Sequence, residues 1–251
     1  MNTAQILLTA VLVAGGSGIR MGGDRPKQFQ ELNKQPVLVH TLRRLLEYDP
    51  QLVVALVLNK EHWHYWVRYG LPHFKEEDRL RILPVSGGEK RTLSVLKGLQ
   101  ALEMMFQLQP TRGTASCVAI HDGVRPLVLA DLIDRCYTTA QQKGAAVAAV
   151  PVKSSLRQMT ADGGSLAVDR AQFYEVQTPQ TFRFYKLLEA YNNRPHDDFT
   201  DDASLMEAVF PEQEIQIVLG SYDNLKITTP EDLAMARFLL KAAPTRESKK
   251  R

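Results

Sequence analysis

The junction after the first apolar run limits most sharply what this chain can become. Ile6 to Ala14 is a nine-residue stretch, apolar but for Thr9, and it gives way at once to Gly15-Gly16-Ser17-Gly18, with Gly22 and Gly23 close behind. A run this short is a buried strand and not a membrane span. Glycines directly after a strand let backbone N–H groups approach a ligand that side chains would keep away, and such nests bind anions. Arg20, Arg25 and Lys27 add the charge a polyphosphate would need. The C-terminal edge of a strand is also where open α/β sheets take their ligands.

Downstream, β-branched runs alternate with stretches of helical period, the pattern of a parallel sheet covered by helices. After the first strand (Ile6 to Val13) comes a helix with Leu38, Leu42, Leu45 and Leu46 on one face, then a strand over Leu52 to Leu58 and a helix from Glu61. A strand at Ile82 to Val85 precedes a helix through Val95, Leu96, Leu99 and Leu102, and a strand at Cys117 to His121 follows. The next helix, through Leu132, Ile133, Cys136, Tyr137 and Ala140, should end at Gly144 and feed a strand over Ala145 to Val150. Between Val152 and Phe173 the pattern breaks around Asp162-Gly163-Gly164, a turn signal flanked by short alternating runs, which predicts a projecting hairpin. Two short helices, a strand over Ile215 to Leu219 and a last helix opened by Thr229-Pro230-Glu231-Asp232 complete the reading. The expected fold is therefore α/β and Rossmann-like: a mostly parallel sheet with helices on both faces and a β-hairpin arm over residues 152–173. One domain should span 1–243, and beyond Leu240 the chain should become a disordered basic tail, 244–251.

The excess of charge sits in that tail. Lys and Arg number 31 against 28 acids, yet Arg246, Lys249, Lys250 and Arg251 against Glu247 account for all of the +3. The body is balanced, which gives no support to nucleic-acid or membrane binding. Cys117 and Cys136 lack any paired spacing and fit a reducing, cytoplasmic setting. No signal peptide is expected, since no basic region precedes the first apolar run.

Two familiar phosphate loops do not fit. A dinucleotide fingerprint needs glycine where Met21 stands and an acid where the second strand ends in Leu58-Asn59-Lys60; a P-loop needs Gly-Lys-Ser/Thr, whereas Lys27 lies between Pro26 and Gln28. His62 and His64, two apart, would leave a helix on different faces and read as packing residues and not metal ligands. Asp201-Asp202 can be read as a second metal site or, after Thr200, as the acidic first turn of a helix, and the capping reading is preferred. His121 reads as a satisfied core histidine.

Ala14-Gly15-Gly16-Ser17-Gly18-Ile19-Arg20-Met21 with Pro26-Lys27-Gln28-Phe29 resembles the signature of nucleotidyltransferases that join a sugar or polyol phosphate to a nucleoside triphosphate. More narrowly, the chain is similar to the 2-C-methyl-D-erythritol 4-phosphate cytidylyltransferase family of the non-mevalonate isoprenoid pathway. The likeness runs from Leu12 to Leu233, through Gly87-Gly88-Glu89-Lys90-Arg91, His121-Asp122-Gly123-Val124-Arg125-Pro126, Gln177-Thr178-Pro179-Gln180, Thr200-Asp201-Asp202-Ala203-Ser204 and Asp223-Asn224-Leu225-Lys226-Ile227-Thr228.

The resemblance implies that Ala14, Gly15, Gly16 and Arg20 enclose the nucleotide while Lys27 holds its phosphates, with Arg20, Lys27 and Lys226 as the catalytic cations. It implies Gly87, Ser94 and Asp122 around the cytidine, Asp122 as the carboxylate for Mg²⁺, and Arg125, Arg170, Thr178, Thr200 and Lys226 around the polyol phosphate. Arg170 would arrive from the neighbouring subunit of a homodimer built through the arm. Ser154-Ser155 stand where the family has Asp-Thr, Gly15 where many relatives have Ala, and Ser86 where an Asp often precedes the glycine pair.

The implied reaction explains the residue types. A phosphate monoester has a second pKa of about 6, so the nucleophile is already an anion at neutral pH and needs no catalytic base. What it needs is relief of repulsion from a polyanionic triphosphate, which positioned Lys, Arg and a divalent ion supply. Mg²⁺ asks the protein for only one or two carboxylates. The expected substrates are CTP and a polyol phosphate; ribitol 5-phosphate in place of methylerythritol phosphate is the alternative acceptor, and a catalytically silent nucleotide-binding protein the alternative class. Arg170 and Lys226 argue against silence, because CTP binding alone would not require them.

Overall fold

The computed structural model describes residues 7–16, 25–108 and 117–247. Its centre is a seven-stranded sheet. In chain order the strands and helices that build it are β1 (Leu8–Ala14), α1 (Val37–Tyr48), β2 (Val53–Leu58), β3 (Ile82–Ser86), α2 (Arg91–Leu108), β4 (Cys117–Asp122), α3 (Ala130–Lys143) and β5 (Ala145–Pro151). The arm strands β6 (Leu156–Met159) and β7 (Ser165–Val168) follow, then β8 (Tyr174–Arg183), α4 (Phe184–Asn192), α5 (Asp202–Val209), β9 (Gln216–Leu219) and α6 (Pro230–Glu247). Across the sheet the order is β9-β5-β8-β4-β1-β2-β3, and only β8 runs antiparallel to its neighbours.

Alternation along the buried strands sends successive side chains to opposite faces. Ala10, Leu12 and Ala14 of β1 join one core with Leu38, Leu42 and Leu45 of α1 and Ile133, Cys136 and Tyr137 of α3. Val11 points the other way, into a second core with Val95, Leu99 and Leu102 of α2 and Leu187 and Tyr191 of α4. A third, smaller cluster joins Leu32, Val37, Val124, Leu127, Ile227, Leu233 and Ala236, and it anchors the segment that carries Lys226. Gly144, at φ 94°, closes α3 as expected, its N–H returning to the carbonyl of Ala140 at 2.9 Å. Both cysteines are free and buried, and among the described residues no helix is long and apolar enough to cross a membrane.

The hairpin is present. Leu156 to Met159 pair antiparallel with Val168 to Ser165, and the tip closes through Thr160 N–H to the Gly164 carbonyl at 2.9 Å, with Gly163 at φ 84°. Each arm strand pairs only with the other. At the arm's root, Tyr222 Oη donates to the Pro151 carbonyl at 2.7 Å and Lys153 Nζ lies 3.3 Å from the Tyr222 ring centroid.

Three segments differ from the sequence expectation. The ten-residue β8 was not foreseen, because Pro179 argues against a central strand. The sheet accommodates it where the pairing with β5 shifts register between Val176 and Gln180, so the missing N–H of proline falls at an irregularity in the ladder. The helix expected from Glu61 is a series of short turns over Lys60–His62, Trp63–Tyr65, Trp66–Gly70 and Leu71–His73. The buried Trp66 ring lies so close to Gly70 that a β-carbon there would fall 2.2 Å from it, and the chain widens into a π turn at that point. Finally, α6 runs on to Glu247, past Leu240 where the tail was expected to begin, although Pro244 has no N–H to give the Leu240 carbonyl. Residues 248–251 lie outside the described residues.

Candidate active site

The parallel strands β1 and β4 are neighbours, yet their chain continuations leave in opposite directions across the sheet, β1 to β2 on one side and β4 to β5 on the other. Such a switch point opens a crevice at the carboxyl ends of the strands. Here it is a cleft of about 220 Å³. Ala14, Gly15, Gly16 and Lys27 form one wall, Gly88 to Arg91 with Ser94 the other, and Asp122, Val124 and Lys226 the floor.

Each wall is held by backbone contacts. The Gly123 N–H donates to the Val13 carbonyl at 2.9 Å, tying the end of β4 to the end of β1, and the Gly87 N–H donates to Leu58 at 2.7 Å. Ser94 Oγ accepts from the Gly88 N–H at 3.0 Å, which fixes the turn entering α2. A β-carbon on Gly87 would sit 3.0 Å from that same Oγ, so a larger residue would displace the turn. Gln28 Nε2 donates to the Ala14 carbonyl at 2.7 Å and lies 3.0 Å from His62 Nδ1, bracing the short turn Lys27–Phe29 against the end of β1.

The floor is an ion cluster. Asp122 Oδ2 meets Arg125 Nε at 3.1 Å and Lys226 Nζ at 3.2 Å, although Lys226 is 104 positions away in sequence. Burial alone would raise the Asp122 pKa, but the charges of Lys226, Arg125 and Arg91 outweigh it and hold the carboxyl well below its ordinary range. Behind it the Asp122 N–H donates to Thr178 Oγ1 at 3.0 Å, and Thr178 Oγ1 lies 2.9 Å from His121 Nδ1. Burial lowers the His121 pKa to about 4, so the ring is neutral near pH 7. Arg125 also donates through Nη1 to the Asn224 carbonyl at 2.8 Å, and Asn224 Nδ2 donates to the Thr178 carbonyl at 2.9 Å.

Of the residues expected from the sequence, Ala14, Gly15, Gly16, Lys27, Ser94, Asp122 and Lys226 line the cleft. Gly87 shapes it from one residue behind. Arg125 and Thr178, expected on the polyol phosphate, are buried behind Asp122 and position it. Thr200 and Arg170 are exposed and do not line the cleft; Arg170 donates to the Lys153 carbonyl at the root of its own arm. Arg20 lies outside the described residues. Arg25, expected among the phosphate-loop charges, instead lies over the Tyr69 ring at 4.3 Å.

Sequence reasoning missed Arg91. It lines the cleft and grips the fully buried Asp202 with both nitrogens, Nη1 to Oδ1 at 3.0 Å and Nη2 to Oδ2 at 2.6 Å. Tyr191 Oη also donates to Asp202, and Gln180 Oε1 accepts from the Asp202 and Ala203 N–H groups at 3.0 Å. Asp201 caps α5, accepting from the Ser204 N–H at 2.9 Å, so the capping reading of this pair holds for Asp201 while Asp202 is an ion-pair partner. A pair 111 residues apart leaves no local signal; an acid at the first position of a helix was the only hint. Among the described residues no three His, Cys, Asp or Glu gather as a metal cage.

A glycine-walled crevice at the switch point of a parallel sheet, with lysines and arginines around one carboxylate, defines a nucleotidyltransferase. Residues 8–242 match the family model described as 2-C-methyl-D-erythritol 4-phosphate cytidylyltransferase, and the chain belongs to that family. It is 43% identical over 232 residues to the protein of that name from Porphyromonas gingivalis, covering 92% of this chain and 96% of the other. With the protein of the same name from Bacteroides thetaiotaomicron it shares 39% identity, over 92% of this chain and 99% of the other. Among solved structures, 4-diphosphocytidyl-2C-methyl-D-erythritol synthase from Anaerococcus prevotii superposes with a TM-score of 0.78 at 25% identity, over 94% of this chain and 96% of that one. The 2-C-methyl-D-erythritol 4-phosphate cytidylyltransferase from Thermus thermophilus gives 0.69 at 27% identity, over 94% and 100%.

Proposed function

We propose that this cleft transfers the cytidylyl group of CTP to 2-C-methyl-D-erythritol 4-phosphate, releasing pyrophosphate. The observation that carries the reading is the floor: one carboxylate kept anionic by Lys226 and Arg125, facing a glycine wall and Lys27. The acceptor phosphate is already an anion, so the site's task is to hold two anions together and to stabilise charge as the oxygen attacks the α-phosphorus. Lys27 from the glycine wall and Lys226 from the floor would both face the phosphates. Arg91 adds a third cation whose direction Asp202 fixes. Gly15 and Gly16 line the cleft with backbone, and a β-carbon on either would make only an ordinary 3.7 Å contact within the chain.

Asp122 suits a hard divalent cation such as Mg²⁺, because its carboxylate stays deprotonated and such an ion takes one protein oxygen alongside phosphate oxygens and water. Bound there, Mg²⁺ would neutralise phosphate charge. The arm would make the dimer: two strands that pair only with each other are marginal alone, and Met159 and Leu166 are 69% and 60% exposed on it. In a two-fold dimer Arg170 of one chain would reach the cleft of the other, which accounts for its exposure in its own chain.

The test is pyrophosphate release with CTP and each of methylerythritol 4-phosphate and ribitol 5-phosphate. Release with the first and at least a hundredfold less with the second is expected; the reverse preference would overturn the acceptor, and release with neither would overturn the reaction.

A further inference from the structure

On the far side of the turn Lys27–Phe29 lies a second recess, of about 180 Å³. Arg25, Lys34, Arg68 and His73 line it, with Glu31 as its one acid. No carboxylate among the described residues forms an ion pair with Arg25, Lys34 or Arg68. Uncompensated cations around a concave surface repel one another, and a bound anion removes that cost. The side chains are also directed. Arg25 and Arg68 lie 4.3 and 5.2 Å from the Tyr69 ring centroid, and the tight turn at Asn33 and Lys34, with φ 47° and 66°, carries Lys34 to the rim. Because Arg25 covers Tyr69, the ring is not free to stack on a base, so the recess selects charge and not an aromatic ligand.

We propose that this recess binds a small phosphate anion of the diphosphate class, at a site separate from the cleft. Its inner wall is Phe29, two residues from Lys27, and a column of rings continues the contact: Phe29 stacks on Tyr65 at 5.5 Å and Tyr65 on Tyr69 at 6.1 Å. An anion drawing on Arg25 and Arg68 therefore acts on the far end of a stack whose near end sits in the turn that carries Lys27. The reaction read above releases such an anion, which makes the site a sensor of that product; binding itself does not depend on that reading.

The chain supplies its own reporter. Its two tryptophans, Trp63 and Trp66, both lie on the segment that carries Arg68 and Tyr69, and neither lines the cleft. Inorganic pyrophosphate titrated into the full-length protein at constant ionic strength, without divalent metal, should change tryptophan emission saturably, while sulfate at equal ionic strength should not. Lys34→Ala and Arg68→Ala should each weaken that binding at least tenfold and leave the affinity for CTP unchanged. Repeating the titration with CTP saturating separates the two sites: the emission change should persist. A response that CTP abolishes, or that both variants leave at wild-type strength, would overturn the proposal. Should CTP fail to bind at all, the proposed reaction would fall while the emission test still decides the recess.

Discussion

The floor of the cleft and the arm are both built from polar sequence, yet they are stabilised in opposite ways. Around Asp122, Arg125, Lys226, Thr178 and Asn224 form one connected set, with Asn224 Oδ1 and His121 Nε2 the buried atoms in it left without a partner. The arm has a ladder of four paired positions and exposed side chains on either face. A connected network fixes the geometry of charge before any ligand arrives, whereas a bare hairpin acquires a fixed position only against another surface. Substitutions in the first should therefore register as stability or turnover within one chain, and in the second as assembly.

The largest loss should come from Arg91→Met. It leaves the Asp202 carboxylate fully buried without its counter-ion, a change worth about 3–5 kcal/mol, read as a lower urea midpoint. Adding Asp202→Asn should recover part of it; no recovery would show that packing, not charge, sets the loss. Next, Lys27→Ala should cut turnover at least a hundredfold with the fold intact, since one lost contact to developing charge costs about 3 to 4 kcal/mol. Here the two regions can be tested against each other. Lys27→Ala and Arg170→Ala chains, each nearly inactive, should recover roughly a quarter of wild-type activity when unfolded and refolded together, as random pairing makes half heterodimers with one intact site each. Heterodimers seen by mass spectrometry with no more than summed activity would place Arg170's action within its own chain.

Acid should weaken the floor more than the arm. The folded pKa of His121 is lowered to about 4 by burial, so its contribution is complete above the unfolded value near 6.5 and is lost as pH falls toward 4. That is roughly 3 kcal/mol over the interval, and His40 and His62, also lowered by burial, act in the same direction. Unfolding free energies at pH 6.5 and 4.5 should differ accordingly, and His121→Gln should flatten the slope. The smallest effect belongs to the arm's tip. Gly163→Ala meets no neighbour within 4 Å, so only its φ of 84° is strained, costing about 1–2 kcal/mol by thermal melting. A larger loss would mean that the tip is packed against something in solution.

The glycine wall and Asp122 were legible because each lies beside a strand end that the apolar runs mark. Lys226 was found only by resemblance, and folding gives the reason for it: Ile227, buried in the third core cluster, holds the neighbouring lysine over the cleft. What stayed hidden depends on distant partners. Arg91 is an ordinary helix-opening residue until Asp202 arrives from another layer, and Arg125 looks like a ligand for phosphate until the Asn224 carbonyl claims it. The strand β8 was hidden by Pro179, a residue whose local preference opposes the position that tertiary packing gives it.

That strand also determines where the chain can change length. Within ten residues β8 carries the root of the arm at Tyr174, the support for Asp122 at Thr178 and, at Gln180, the acceptor for the first two N–H groups of α5. A single residue inserted or deleted there would turn every following side chain to the other face and break all three attachments together. The loop between Thr160 and Gly164 has no such obligations. Any tag, probe or graft should enter at that tip, where added length leaves the spacing of the cleft untouched.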